Sequence, residues 1–157
     1  MVEKLFWFFS AVTILALSRI IPHPPNFTPL IAVAIFAPTV IKDVLLVILT
    51  TLSAMFLADL YWGLHSFMFW TYGSILLCTL MATRYKTIYM VFAGPILFFV
   101  ITNFAVWTSG YYGFTLQGLL ACYIAAIPFF HMTLLSTILY TAAFYLIKST
   151  IDKYVYN

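Results

Sequence analysis

The sequence predicts an all-α integral membrane protein, and three observations support this fold class. Of the 157 residues, 65% are hydrophobic and only 7% are charged, too few to cover a globule of this size in water. The apolar residues form runs whose length approaches the roughly 20 residues that cross a bilayer as a helix. The basic residues fall between these runs in an alternating pattern. We therefore expect one transmembrane domain, residues 1–157.

The first two elements flank a proline-rich segment, residues 19–29, here called the proline loop. Residues 5–21 are the first predicted span, which ends at the first of four prolines because proline interrupts a helix. The prolines predict extended backbone in the loop itself. Thr28 and Pro29 are typical of an N-cap and first helical position. A second, short helix is expected over residues 29–41.

Three apolar runs follow, and each ends at charged or helix-breaking residues. Lys42 and Asp43 precede the third run, Gly63 interrupts the chain after it, and Arg84 and Lys86 close the fourth. The predicted third, fourth and fifth spans are residues 44–61, 66–82 and 87–107.

The last apolar run, residues 116–147, allows two interpretations, because it is too long for one untilted crossing and contains Pro128. Residues 116–127 are either part of the last span or a short interfacial helix, and we favour the interfacial helix. The sixth span is then residues 129–147. The tail that follows has the apolar spacing of a helix lying on the membrane surface.

Six transmembrane helices place both termini on one side of the membrane, and the positive charges predict which side. All but one of the lysines and arginines share that side, and the exception is Arg19. Cytoplasmic segments are enriched in these residues, so both termini are predicted to be cytoplasmic. The residues that share the cytoplasmic side are Lys4, Lys42, Arg84, Lys86, Lys148 and Lys153.

The same topology collects polar residues at one outer level, which predicts a cavity open to the outside. Asp59 costs the most free energy to place at this level, because a carboxylate near the bilayer is unfavourable unless it is paired. Arg19 lies at a matching depth and is its expected partner. The pair is a structural clamp, a ligand site, or both. The residues that collect at this level are His23, Asn26, Asp59, His65, Asn103, Trp107, Gln117 and, depending on where the last span begins, His131.

Two helical spacings carry alternatives at this level. His65, Phe69 and Tyr72 share one face of the fourth span, which suits either a flat aromatic ligand or an interfacial aromatic belt. Asn103 and Trp107 are four residues apart, and the amide serves either a ligand or a bond between helices.

The sequence contains no recognisable motif for several classes of function. The net charge of +3 is scattered and gives no footprint for nucleic acid. The three histidines match no metal-ligand spacing, and no nucleophile–base pair or phosphate loop is visible. The two cysteines lie in apolar runs and are expected to be free. We therefore predict no metal, no cofactor and no enzymatic activity.

The motifs "PHPPNFTP", "ADLYWGLH" followed by "TYGS", "TNFAVW" and "TLQGLLACYIAAIPFFHMTLLSTILY" resemble a group of small bacterial membrane proteins of unknown function. That group is similar to the S components of energy-coupling-factor vitamin transporters. The resemblance implies six spans, cytoplasmic termini, a bacterial inner-membrane location and an outward-facing ligand site. The candidate substrate-binding residues that it implies are Asn26, Asp59, His65, Tyr72, Asn103 and Trp107. S components usually carry helix-one alanines at four-residue spacing for docking to an energising module, whereas Ala11 and Ala16 are five apart.

The leading hypothesis is thus a substrate-binding membrane transport protein for a small vitamin-like or aromatic compound. Its expected partners are the lipid bilayer, a small-molecule ligand, and an energising transporter module or other membrane subunits. The alternative is a structural or accessory subunit of a larger membrane complex.

Overall fold

The computed structural model describes residues 2–155, and all regular secondary structure within that range is helical. Three helices have the length and hydropathy to cross a membrane, namely Val44–Trp62, Thr87–Thr108 and Leu116–Tyr154. The other apolar helices are shorter. The helices are α1 Val2–Ile20, α2 Leu30–Val40, α3 Val44–Trp62, α4 Met68–Ala82, α5 Thr87–Thr108 and α6 Leu116–Val155.

The shortest helix, α2, lies at the centre of the bundle. It packs against α3, α4, α5 and α6, and most of its side chains are buried. A helix that is apolar on all sides is stable only when it is enclosed, and three alanines let its neighbours approach closely. The main core joins Ile31 and Ile35 of α2 to Met55 of α3, Ile75 of α4 and Met90 of α5.

Helix α1 is peripheral and packs mainly on α3. The contact is a small apolar cluster in which Val12, Leu15 and Ala16 surround the fully buried Ala54. Much of the remaining surface of α1 is exposed and apolar, as expected for a helix that faces lipid. The ends of α1 and α3 then meet through polar groups described below.

The separation of residues 116–127 from the last span is wrong, because α6 is one continuous helix of 40 residues that contains Pro128. The segment before the proline packs along α5, where Tyr123 donates a hydrogen bond of 2.7 Å to the carbonyl of Val100. Proline removes one backbone donor, and neighbouring helices can stabilise such an interruption in an apolar setting. The predicted surface tail is the final part of the same helix.

The proline loop differs from the predicted extended segment at two points. Residues 24–27 form a turn in which the N–H of Phe27 donates to the carbonyl of Pro24, and Asn26 has a φ of 63°. Proline followed by a residue of positive φ is typical of a type II turn. The predicted Thr28 cap is absent, since α2 begins at Leu30 with Pro29 as its N-cap and no side-chain hydrogen bond.

Candidate functional site

Four polar side chains meet where α1 and α3 end and α4 begins, and we call this group the Asp59 cluster. Asp59 is 4% exposed, and its Oδ1 lies 3.1 Å from Nη2 of Arg19. Its Oδ2 accepts a hydrogen bond of 2.9 Å from the Tyr72 hydroxyl and lies 3.7 Å from Nε2 of His65. The buried carboxylate therefore has a partner on each oxygen, as a buried charge requires.

The backbone carbonyl of Arg19 also has partners in the structure. Its carbonyl accepts a hydrogen bond of 3.2 Å from the Trp62 indole and lies 3.3 Å from Nε2 of His23. Nδ1 of His23 is 2.7 Å from the carbonyl of Pro24, at the start of the turn. The start of the proline loop is thus tied to the end of α3 by both charge and hydrogen bonds.

Two small cavities lie beneath the proline loop. The first, here the Arg19 cavity, has a volume of about 120 Å³ and lies between α1, the loop, α2, α5 and α6. Most of its polar lining comes from the loop and α6. Its lining residues are Arg19, His23, Asn26, Thr28, Leu30, Ile31, Phe98, Thr133, Ser136 and Thr137.

The second cavity, here the Asn103 cavity, lies between α5 and α6 and has a volume of about 210 Å³. It shares Asn26, Phe98 and Thr133 with the Arg19 cavity, so the two adjoin. Aromatic rings supply much of its wall. Its other lining residues are Phe99, Thr102, Asn103, Ala126, Phe129 and Phe130.

The structure divides the predicted site residues into three sets. Asn26 and Asn103 line the Asn103 cavity, although the Nδ2 of Asn103 also donates to the carbonyl of Phe99 in its own helix. Asp59, His65 and Tyr72 belong to the Asp59 cluster. Trp107 lines neither cavity, because its indole donates to the carbonyl of Gly113 and fixes the turn between α5 and α6.

The proposed aromatic strip is not continuous. Phe69 is 80% exposed, whereas Tyr72 is directed to Asp59 and also lines a shallow apolar groove of about 480 Å³ between α1 and α3. The groove is formed mainly by phenylalanine and leucine side chains, a composition suited to lipid chains. His65, Phe69 and Tyr72 therefore do not line one common cavity.

Sequence reasoning missed the contribution of α6 to the cavities. Thr133, Ser136 and Thr137 are buried and line the Arg19 cavity, but none of them was among the predicted site residues. Their hydroxyls donate to carbonyls of α6 itself, which satisfies them in an apolar helix. The signal available in the sequence was the set of three hydroxyl side chains on one face of the last apolar run.

Among residues 5–154, no three His, Cys, Asp or Glu side chains lie close enough together to hold a metal ion. His131 is exposed, with Nδ1 3.3 Å from the carbonyl of Ile127 one turn earlier. Both cysteines are free and buried. The cavities therefore offer hydrogen bonds, one guanidinium and aromatic walls.

The chain belongs to the DUF6580 family, a family of unknown function, whose model matches residues 2–155. The predicted resemblance to a membrane protein family of unknown function is consistent with this membership. No curated protein and no solved structure matches the chain. A resemblance to the S components is accordingly not shown.

Proposed function

We propose that this member of the DUF6580 family is a membrane transport protein that captures a small polar compound beneath the proline loop. One observation carries the proposal: two adjoining cavities with polar lining groups share Asn26. This residue lies at the tip of the turn that the hydrogen bond from Phe27 to Pro24 closes. Convergent polar groups in a concave, partly apolar site are the usual features of a ligand pocket. The protein would bind and reorient, without chemistry on the ligand.

Cavity size limits the ligand. The volumes of about 210 Å³ and 120 Å³ are each below the range of about 300 Å³ and upward that is usual for drug-sized ligands. A compound that fills one cavity and extends into the other fits this space. Because the rings of Phe99 and Phe130 pack at 4.8 Å between centroids, one wall of the Asn103 cavity is suited to a flat or apolar group.

The orientation in the membrane is part of the same proposal. We place six helices across a bacterial inner membrane, with the proline loop outside and both termini in the cytoplasm. The charged connections after α2 and α4, which contain Lys42 and Arg84, lie at the bundle end opposite the loop and support this orientation. The shorter α2 would cross incompletely, enclosed by its neighbours.

Cysteine labelling tests the orientation. In a background in which Cys78 and Cys122 are replaced by alanine, Tyr112→Cys should react with an impermeant thiol reagent in intact cells, and Lys153→Cys only after lysis. Labelling of position 153 but not of position 112 in intact cells would overturn the topology.

Native mass spectrometry of the chain purified in a mild detergent tests the binding function. We expect a discrete small molecule to remain bound to the wild type and to the exposed-site control Tyr61→Phe, and to be lost from Asn26→Gly. Glycine keeps the positive φ of the turn but removes the amide. A chain that is empty, and stable only with co-purifying polypeptides, would instead support an accessory subunit of a larger complex.

A further inference from the structure

We infer that the Arg19 cavity binds a carboxylate group, so that the ligand is a small monocarboxylate whose apolar body extends into the Asn103 cavity. The inference rests on the proposed binding function and specifies its substrate class. It follows from the distribution of donors, acceptors and charge around the two cavities, which is uneven.

Arg19 has hydrogen-bonding capacity to spare. Of its five N–H donors, one at Nη2 bonds to Asp59, and the side chain makes no other hydrogen bond to residues 5–154. The side chain is 24% exposed and lines the cavity. A guanidinium matches the geometry of a carboxylate, and its remaining Nη N–H groups can donate to one.

The start of α2 adds backbone donors to the same cavity. The first hydrogen bond of the helix runs from the N–H of Val33 to the carbonyl of Pro29, and no side chain caps the N-terminus. The preceding N–H groups include those of Leu30 and Ile31, two residues that line the cavity. Uncapped N–H groups at a helix N-terminus attract anions, so they act together with Arg19.

The opposite wall supplies acceptors instead of donors. Thr133, Ser136 and Thr137 use their hydroxyl hydrogens on carbonyls of α6, which leaves their oxygens to accept. Such oxygens repel a carboxylate. The anionic group is thereby directed to Arg19 and α2, and the body to Phe98 and the aromatic wall of the Asn103 cavity.

The charge balance selects a single negative charge. The groups that face Arg19 are the Asp59 carboxylate, the Tyr72 hydroxyl behind it, His65 near that carboxylate and His23 on the loop. The guanidinium is already partly neutralised by Asp59, and a helix N-terminus contributes about half a positive charge. A monoanion fits this surplus, whereas a phosphate dianion leaves excess negative charge in a buried site.

Matched acid and amide probes test the inference. Binding of acetate, butyrate and benzoate to the purified chain in detergent is measured by calorimetry beside acetamide, butyramide and benzamide. We expect at least one acid to bind about tenfold more tightly than its amide, because a charge-assisted hydrogen bond replaces a neutral one. Inorganic phosphate is the dianion control and is expected to bind weakly.

Two variants locate the preference. Arg19→Gln alone leaves Asp59 unpaired and can impair folding, so Arg19→Gln combined with Asp59→Asn removes both charges together. We expect this double variant to bind the acid and the amide equally, whereas the exposed-site control Arg84→Gln keeps the tenfold preference.

The outcomes separate this inference from the proposed function. Equal binding of each acid and its amide, a preference that persists in the double variant, tighter binding of phosphate, or no binding of any acid would overturn the carboxylate site. The binding function itself fails only if, in addition, no retained molecule is found by native mass spectrometry.

Discussion

The Asp59 cluster and the Arg19 cavity share Arg19, yet they differ in how fully their polar groups are paired. In the cluster, both carboxylate oxygens of Asp59 have partners within the protein. In the Arg19 cavity, the guanidinium of Arg19 keeps N–H donors without a partner among residues 5–154, the start of α2 is uncapped, and Asn26 is exposed.

The difference shows why buried polarity alone does not identify a binding site. A polar group that is paired inside the fold contributes to stability, and its removal leaves a buried partner unsatisfied. A polar group that faces space without a partner contributes little to stability and is available to a ligand. Substitutions in the cluster should therefore change stability, and substitutions at the cavities should change binding.

The largest effect is expected for Arg19→Met, which leaves the Asp59 carboxylate buried without its cation. The free energy of unfolding should fall by about 3 kcal/mol, the low end for a broken buried pair because Arg19 is partly exposed. Equilibrium unfolding in mixed detergent micelles measures this, with Arg84→Met as a control. An unchanged stability would mean that the pair is not a clamp.

Tyr72→Phe should rank second. It removes one hydrogen bond of 2.9 Å to the carboxylate and leaves the ring in place, at a cost of about 1.5 kcal/mol. Retention of the ligand should be unaffected, since Tyr72 does not line either cavity. Tyr61→Phe, at an exposed position, is the matched control. Loss of the ligand from Tyr72→Phe would place the cluster inside the binding site.

Asn26 separates the two regions most directly. Asn26→Ala should be less stable than Asn26→Gly by about 1 kcal/mol, because alanine is strained at a φ of 63°. Both variants lack the amide and should lose the ligand alike. Thermal unfolding and native mass spectrometry of the pair give the two readings, and a ligand that tracks stability instead of the amide would contradict the distinction.

The smallest effect is expected for His65→Gln. The ring is 39% exposed and 3.7 Å from the carboxylate, so its contribution to stability should be below about 0.5 kcal/mol. The same unfolding measurement, compared directly with Tyr72→Phe, provides the test. A loss as large as that of Tyr72→Phe would make His65 a full member of the cluster.

The helical class and most helix boundaries follow from the sequence, because apolar runs and their charged or glycine ends are local features. The division at Pro128 could not be judged locally. Whether a proline ends a long apolar helix depends on its neighbours, and here Tyr123 and Cys122 bind carbonyls of α5 on the side before the proline. The predicted Thr28 cap is also absent, because α2 begins at Leu30 and its N-cap residue is Pro29.

The sequence predicted part of the candidate site. The Arg19–Asp59 pair follows from matching depths on two predicted spans, and the structure contains it. The choice of cavity residues does not follow from the sequence, because it depends on how the proline loop packs against α5 and α6. The shared role of Asn26 and Thr133 arises from distant parts of the chain that only the packed bundle brings together.

The central position of α2 has a consequence for how the protein is made. A helix of 11 residues is about 17 Å long, which is little more than half of a hydrocarbon core of roughly 30 Å. Such a segment cannot remain stably in lipid by itself with its ends uncovered. In the proposed six-span orientation, we therefore expect the integration of α2 to be completed only after α5 and α6 have left the translocon and packed around it. The final placement of α2 would thus depend on the last two helices to be synthesised.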